Sequence, residues 1–344
     1  MATGLRPPTG IVNRSDYFID NLIKEEDMAR NDYAGVETVL KDDYLGNLLR
    51  IPQQRETRLF GSFADVTVEG KQLYIDGIAP VDYRIDNSYN ATSEGVAANY
   101  FRRKLTTDRM IIEVDYDEHW FRKTTSSNPS SLITQEMMNA SYRFLDKVGI
   151  DAAVASVYYG EAGTTELSFA NDGGLTLDAT GGLTIDLLRK INHRFTGTEV
   201  VSPNGMNDVK FVITEDEQYD MGGITQLTSW QFQSIYPQAA AGAGNQSGFG
   251  RQLGMQNVTF GAQSATGKML TEAAAVRDCL ALANNAMVYG MASDGISFEI
   301  IPLTETKIST VRLRLTLTAG AVRTNGNNVI KFQTTVKDPA VFYA

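Results

Sequence analysis

Between residues 137 and 160 the chain reads "MMNASYRFLDKVGIDAAVASVYYG", and its apolar positions fall at the spacing of one helical face. Met137, Ser141, Phe144, Val148, Ala152 and Ala155 recur at threes and fours, which predicts a buried stripe. Upstream, Asn128 stands where an N-cap belongs and Pro129 sits in the first turn, where a missing N–H costs nothing. Gly160 is the expected stop. A helix over 128–157 spans roughly 40 Å at 1.5 Å per residue, longer than most globular helices, and so predicts a scaffold rod. Gly149 is its one weak point, because a mid-helix glycine costs about 1 kcal/mol relative to alanine.

On the N-terminal side, residues 1–10 form an extended arm carrying Pro and Gly. From Ser15 the pattern is helical: Phe18 and Leu22 share a face, then Val36, Leu40, Tyr44 and Leu48, up to the proline of "RIPQQR". In "FADVTVEGKQLYIDGIAPVDYRI", Val66 and Val68 alternate with polar residues and Glu69-Gly70 divides two short strands, which predicts a hairpin. The next stretch, "DNSYNATSEGVAANYFRRKLTTDR", lacks a clear period and reads as loop.

On the C-terminal side, residues 161–183 are rich in Gly, Thr and Asp and predict a turn-laden β excursion. "TIDLLRKINHRF" places Ile185, Leu188, Ile191 and Phe195 on one helical face with Thr184 as N-cap. "VKFVI" is a buried strand, and "TEDE" at 214–217 is a Thr-x-x-Glu capping box opening another helix. Residues 239–254, "AAAGAGNQSGFGRQLG", are low in complexity and predict a linker or a loop ordered by a partner. The end of the chain is β: Val311, Leu313, Leu315 and Leu317 alternate with Arg312, Arg314, Thr316 and Thr318, and Asn325-Gly326 turns back through "VIKFQTTV" as an antiparallel partner.

Composition is that of an ordinary folded protein, 42% hydrophobic and 21% charged over 344 residues, and neither a signal peptide nor a membrane span is expected. The single cysteine, Cys279, excludes an internal disulfide and a thiolate zinc site; in "VRDCLALA" it reads as a small buried hydrophobe on a helix. A net charge of −10 repels polyanions, so nucleic acid would need a concentrated basic patch. The densest cluster, Arg102, Arg103 and Lys104 with Arg109 nearby, reads as a solvated or subunit-contacting face.

Three stretches invite a chemical reading. "GAQSATGKML" approximates a phosphate loop, but five residues separate Gly261 from Gly267 where four are required. Met269 also stands where a hydroxyl must ligate magnesium, leaving Lys268 in a turn before an alanine-rich helix. "EVDYDEH" would set Glu113, Asp115, Asp117 and His119 on one strand face, where they could hold a metal or act as acid and base. The plainer reading is a water-facing side opposite Ile112, Val114 and Tyr116. His193 lies near a helix C-terminus and reads as a cap; neither histidine has a nucleophile motif around it. Trp120 and Trp230 read as core or interface anchors.

The order helical arm, β lobe, long rod, α/β lobe with a Gly-rich loop, then closing strands resembles the major capsid proteins of tailed bacteriophages, an α+β fold shared with encapsulins and the herpesvirus capsid floor. The spine helix is carried by 137–160, the axial strand and helix by "KFVITEDEQYDMGG", the segment after the axial loop by "FGRQLGMQNVTFG", and the closing strands by "VRLRLTLTAGAVRTNGNNVIKF". The resemblance implies an N-terminal arm over 1–54 and an extended β-hairpin loop over 55–105. It implies a peripheral domain over 106–185 completed by 306–344, and an axial domain over 186–305. Gly248, Phe249, Gly250 and Arg251 would meet their copies near the capsomer centre. It further implies a virion shell assembled in the host bacterial cytoplasm from hexameric and pentameric capsomers, enclosing DNA without sequence-specific binding. Separate scaffolding and portal proteins would be partners, with a decoration protein as a further option, and no cofactor or membrane would be involved. The alternatives are an encapsulin-like compartment or, in another class, a nucleotide- or metal-dependent hydrolase using Lys268 or the 113–119 face. No internal repeat supports a tail or adhesin protein.

Overall fold

The computed structural model describes residues 53–81, 83, 95, 98–117, 129–201, 209–224, 251–252, 255–262, 267–273, 275–303 and 310–336. Residues 1–52 of the predicted arm over 1–54, both tryptophans, His119 and Gly248–Gly250 lie outside them. In chain order the elements are β1 Ala64–Val68, β2 Gln72–Ile78, β3 Tyr100–Thr106, β4 Asp108–Asp117, α1 Pro129–Val154, β5 Val157–Tyr159, β6 Thr165–Leu167 and β7 Leu175–Ala179. There follow α2 Ile185–Gly197, β8 Lys210–Thr214, α3 Glu215–Gly223, β9 Arg251–Gln252, β10 Met255–Phe260, β11 Glu272–Ala273, β12 Val276–Leu282, β13 Met287–Leu303, β14 Thr310–Arg323 and β15 Val329–Thr335.

The rod is present as the 26-residue α1. Its buried stripe is Met137, Ser141, Leu145, Ile150 and Ala153, so the lower half is turned by about one residue from the predicted Phe144, Val148, Ala152 and Ala155. That stripe lies on a four-stranded sheet ordered β1-β13-β14-β4, where Met137 meets Leu313 and Leu315, and Leu145 meets Leu317 and Ala319. The alternation read at 311–318 is therefore correct, with its leucines buried under the rod.

The second sheet runs β7-β15-β12-β8-β10-β9, with β11 paired to β12. It shares one large core with α2, α3 and the C-terminal end of α1. Thr184 accepts the Leu187 N–H at the start of α2, and Leu188, Ile191 and Phe195 are fully buried, as the periodicity predicts. The capping box is formed as well, with Glu217 accepting the Thr214 N–H at 2.9 Å.

Three local expectations fail. "TEAAAVRDCLALANNAM" is strand, not helix: β12 is central, paired to β8 and β15 and covered on both faces, and such a strand carries the same unbroken apolar run as a buried helix. Cys279 is buried as expected, but on that strand. β1 and β2 do not pair with each other; β1 runs parallel to β13, while β2 pairs with β3, which occupies part of the stretch read as loop. Likewise β14 and β15 are not partners. Asn325-Gly326 opens a 3-10 turn that carries the chain from the first sheet to the second, where β15 lies antiparallel to β12 and parallel to β7.

Candidate inter-subunit surfaces

The sheet β2-β3-β5-β6 has two unlike faces. On the inner one, Leu73 and Ile75 of β2 and Leu105 of β3 pack with Val68, Val157 and Val322. Gly77 opposes Phe101, whose ring lies 2.2 Å from where a Cβ would stand, so only glycine lets the ring cross there. On the outer face Arg102 grips both oxygens of Asp76, at 2.6 and 3.0 Å, and lies over the Tyr74 ring. That hydrogen bond holds Asp76 below the usual carboxylate range, but both groups are well exposed and the pair adds little stability.

Beyond that pair the hairpin turns apolar towards water. Ile78 opposes Tyr100 across the strands, with 57% and 74% of their surfaces exposed, and Val81 and Tyr83 follow at 56% and 88%. Clustered exposure of large apolar groups makes this face a candidate interaction surface.

The base of the hairpin is fixed. Arg103, read as part of a solvated face, is buried: its guanidinium pairs with Asp172 at 2.6 Å, and Arg323 reaches the same carboxylate at 2.8 Å. Burial pushes the Asp172 carboxyl up, but hydrogen bonds from both arginines outweigh it and hold the group below its ordinary range. Arg323 also donates to the Ala153 and Ala155 carbonyls, at 2.8 and 2.9 Å, so a cation finishes α1 where Gly160 was expected to. Gly160, at φ +96°, instead turns the chain between β5 and β6. A charge closing an apolar run is the sequence signal that could have found Arg323; Arg103, between Arg102 and Lys104, carries no such signal.

The chemical candidates resolve into structural roles. Arg312 clasps Asp115 at 2.6 Å and Arg314 reaches Glu113 at 2.7 Å, cross-strand pairs set by the register of β14 on β4. Ile112, Val114 and Tyr116 pack beneath the rod, so the plain reading of this strand holds over its described part. Lys268 pairs with Glu272, Met269 and Leu270 are buried, and a strand follows instead of the helix whose N-terminus a phosphate would need. His193 is exposed, and the α2 terminus is capped by Thr198, whose N–H and hydroxyl both donate to Arg194 O. Of the predicted axial loop, only Arg251 is described; its backbone opens β9, opposite Gln256.

A family model described as phage capsid protein matches residues 36–336. The chain belongs to the phage capsid protein family. Its fold is similar to the capsid of the cyanophage P-SCSP1u (13% identity, 88% of this chain and 95% of that one, TM-score 0.60). It is also similar to the mature capsid of bacteriophage PhiM1 (13%, 86% and 92%, 0.60) and to the capsid of Ralstonia phage GP4 (11%, 87% and 96%, 0.61). No curated protein matches. For this capsid chain the tailed-phage α+β fold is thereby shown.

Proposed function

We propose that the chain is the main structural subunit of a tailed-phage head, closing into an icosahedral shell of hexameric and pentameric capsomers around double-stranded DNA. The family match across 36–336 carries this reading. The physics supports it: the rod lies on a sheet with its leucines buried, while the hairpin carries exposed apolar groups that gain free energy when another chain covers them. In this reading 1–54 is the arm, 55–105 the extended loop, 106–185 completed by 306–344 the peripheral domain, and 186–305 the axial domain. Gly248, Phe249, Gly250 and Arg251 meet their copies at the capsomer centre. The reading needs no catalysis: Lys268, Glu113 and Asp115 are each held by a salt bridge. Assembly in the bacterial cytoplasm with scaffolding and portal proteins, and a decoration protein on the finished shell, belongs to the same proposal. The test is electron microscopy with analytical ultracentrifugation on the chain expressed alone and beside its neighbouring genes. Closed shells or capsomer-sized rings are expected; a persistent monomer in both preparations would overturn the reading.

A further inference from the structure

Arg103 and Arg323 share one carboxylate. Each reaches Asp172, at 2.6 and 2.8 Å, and they are 8% and 0% exposed, so two permanent cations stand inside the chain against one full negative charge. Their other acceptors are carbonyls: Arg103 donates to Arg323 O at 3.2 Å, and Arg323 to Ala153 O and Ala155 O at the end of α1. A helix C-terminus supplies about half a negative charge, which still leaves the node positive. The Phe101 and Phe169 rings lie over the two guanidiniums, at 6.0 and 5.1 Å to their centroids, and cancel no charge. Burial, aided by the Arg103 charge, outweighs Asp172 and holds Arg323 below its ordinary range. Arg103 Nε and Arg323 Nη2 are buried and, among the described residues, have no acceptor.

Both arginines line a cavity of about 170 Å³ between the base of the β2–β3 hairpin and the end of β14, walled otherwise mainly by Ile75, Gly77, Phe101 and Val322. Asp76 also lines it, but Arg102 grips both oxygens of that carboxylate, which is well exposed. Among the described residues no further carboxylate faces the cavity. A buried charge without a partner is costly, and arginine cannot shed its proton to escape the cost. Water would satisfy the free N–H groups and leave the charge standing. A counter-ion does both, and apolar walls strengthen its hold on two guanidiniums at once.

We propose that this cavity binds one small monovalent anion, a halide or a carboxylate of formate size, between the guanidiniums of Arg103 and Arg323. The ion ties the hairpin base, which carries Arg103, to the end of β14 and through Arg323 to the end of α1. The site lies within one chain, so the inference stands apart from the shell reading.

The test is thermal melting of the unassembled full-length chain, titrated with sodium chloride or sodium formate, beside the variant Arg103→Met, which leaves Asp172 and Arg323 paired one to one. Salt effects on other surfaces are common to both chains. The parent should therefore gain about 2 °C on the variant once the anion reaches about tenfold its dissociation constant. A gap between the two chains that stays constant through both titrations would overturn the proposal. So would a chain that responds to neither anion until it assembles, because the charge would then come from an acidic side chain of a neighbour. Crystals of the parent soaked in sodium bromide locate the ion without any substitution. An anomalous peak in contact with both guanidiniums is the expected result; bromide at other positions only, with water in the cavity, would overturn it.

Discussion

Asp146 is the side chain on which the rod and the segment preceding β1 depend. It lies inside α1, fully buried, and its carboxylate accepts the N–H groups of Arg58, Leu59 and Phe60 at 2.9, 3.0 and 3.2 Å. A turn that enters a core without its own ladder must find acceptors, and one carboxylate supplies three. Asp146→Ala should therefore cost about 3 kcal/mol, because the donors stay buried and lose their partner. A chain of 344 residues would then melt about 4 °C lower by calorimetry. Asp146→Asn, which retains one acceptor oxygen, should lose less than half of that; equal losses would mean that packing matters more than the hydrogen bonds. One turn on, Gly149 explains why the rod tolerates a poor helix former: a Cβ there would stand 1.7 Å from the Tyr289 hydroxyl, so the absent side chain makes room for a buried ring. In sequence the residue shows only as a flaw, because its reason sits on a strand 140 positions away.

At the scale of elements, legibility follows from whether the signal is local. Thr184 and its amphipathic helix, the capping box at 214–217 and the alternating leucines of β14 each state their pattern within a dozen residues, and each is found as read. Strand partners are not local: Val66 and Val68 announce a strand, yet nothing near them says that the mate is Val288–Ala292. β12 departs from its helical pattern for a related reason, since alanine's helix preference yields when both strand edges are paired and both faces covered. Its one discordant residue, Arg277, is 1% exposed and reaches Glu272 at 2.8 Å, Asp216 at 2.9 Å and Glu217 at 3.1 Å. Burial pushes the Glu217 carboxyl up, but hydrogen bonds from Thr214 and Thr334 and the Arg277 charge win and hold it below its ordinary value. A depressed carboxylate contributes stability above its unfolded pKa of about 4.3 and loses it as pH falls through the lower folded value. Tm should therefore fall steeply below about pH 4.3. Arg277→Met should cost about 3–5 kcal/mol at neutral pH by leaving the carboxylates uncompensated, and should flatten the acid limb. An acid limb as steep as in the parent would show that Arg277 does not set the protonation of this cluster.

At the scale of the whole molecule, stability and assembly draw on different surfaces. The large core, the leucines under the rod and the ion pairs of the two buried arginine nodes are formed within one chain. Ile78 and Tyr100 are not: they face water on the outer side of a hairpin whose inner side is already packed. Changes there should separate the two properties. Ile78→Asp and Tyr100→Asp remove no intrachain packing of consequence, so Tm of the unassembled chain should move by no more than about 2 °C, the scale of ordinary surface substitutions. Each, however, places a charge where a neighbour must bury apolar surface, and an unpaired buried charge costs several kcal/mol. Because every subunit repeats the contact around a closed shell, even a loss of about 1.4 kcal/mol per contact is tenfold in each association constant, and the penalty compounds with subunit number. Sedimentation should show the double variant as folded monomer or loose capsomers where the parent closes into shells. Shells of normal yield carrying both aspartates would place the hairpin's apolar face outside the subunit contacts.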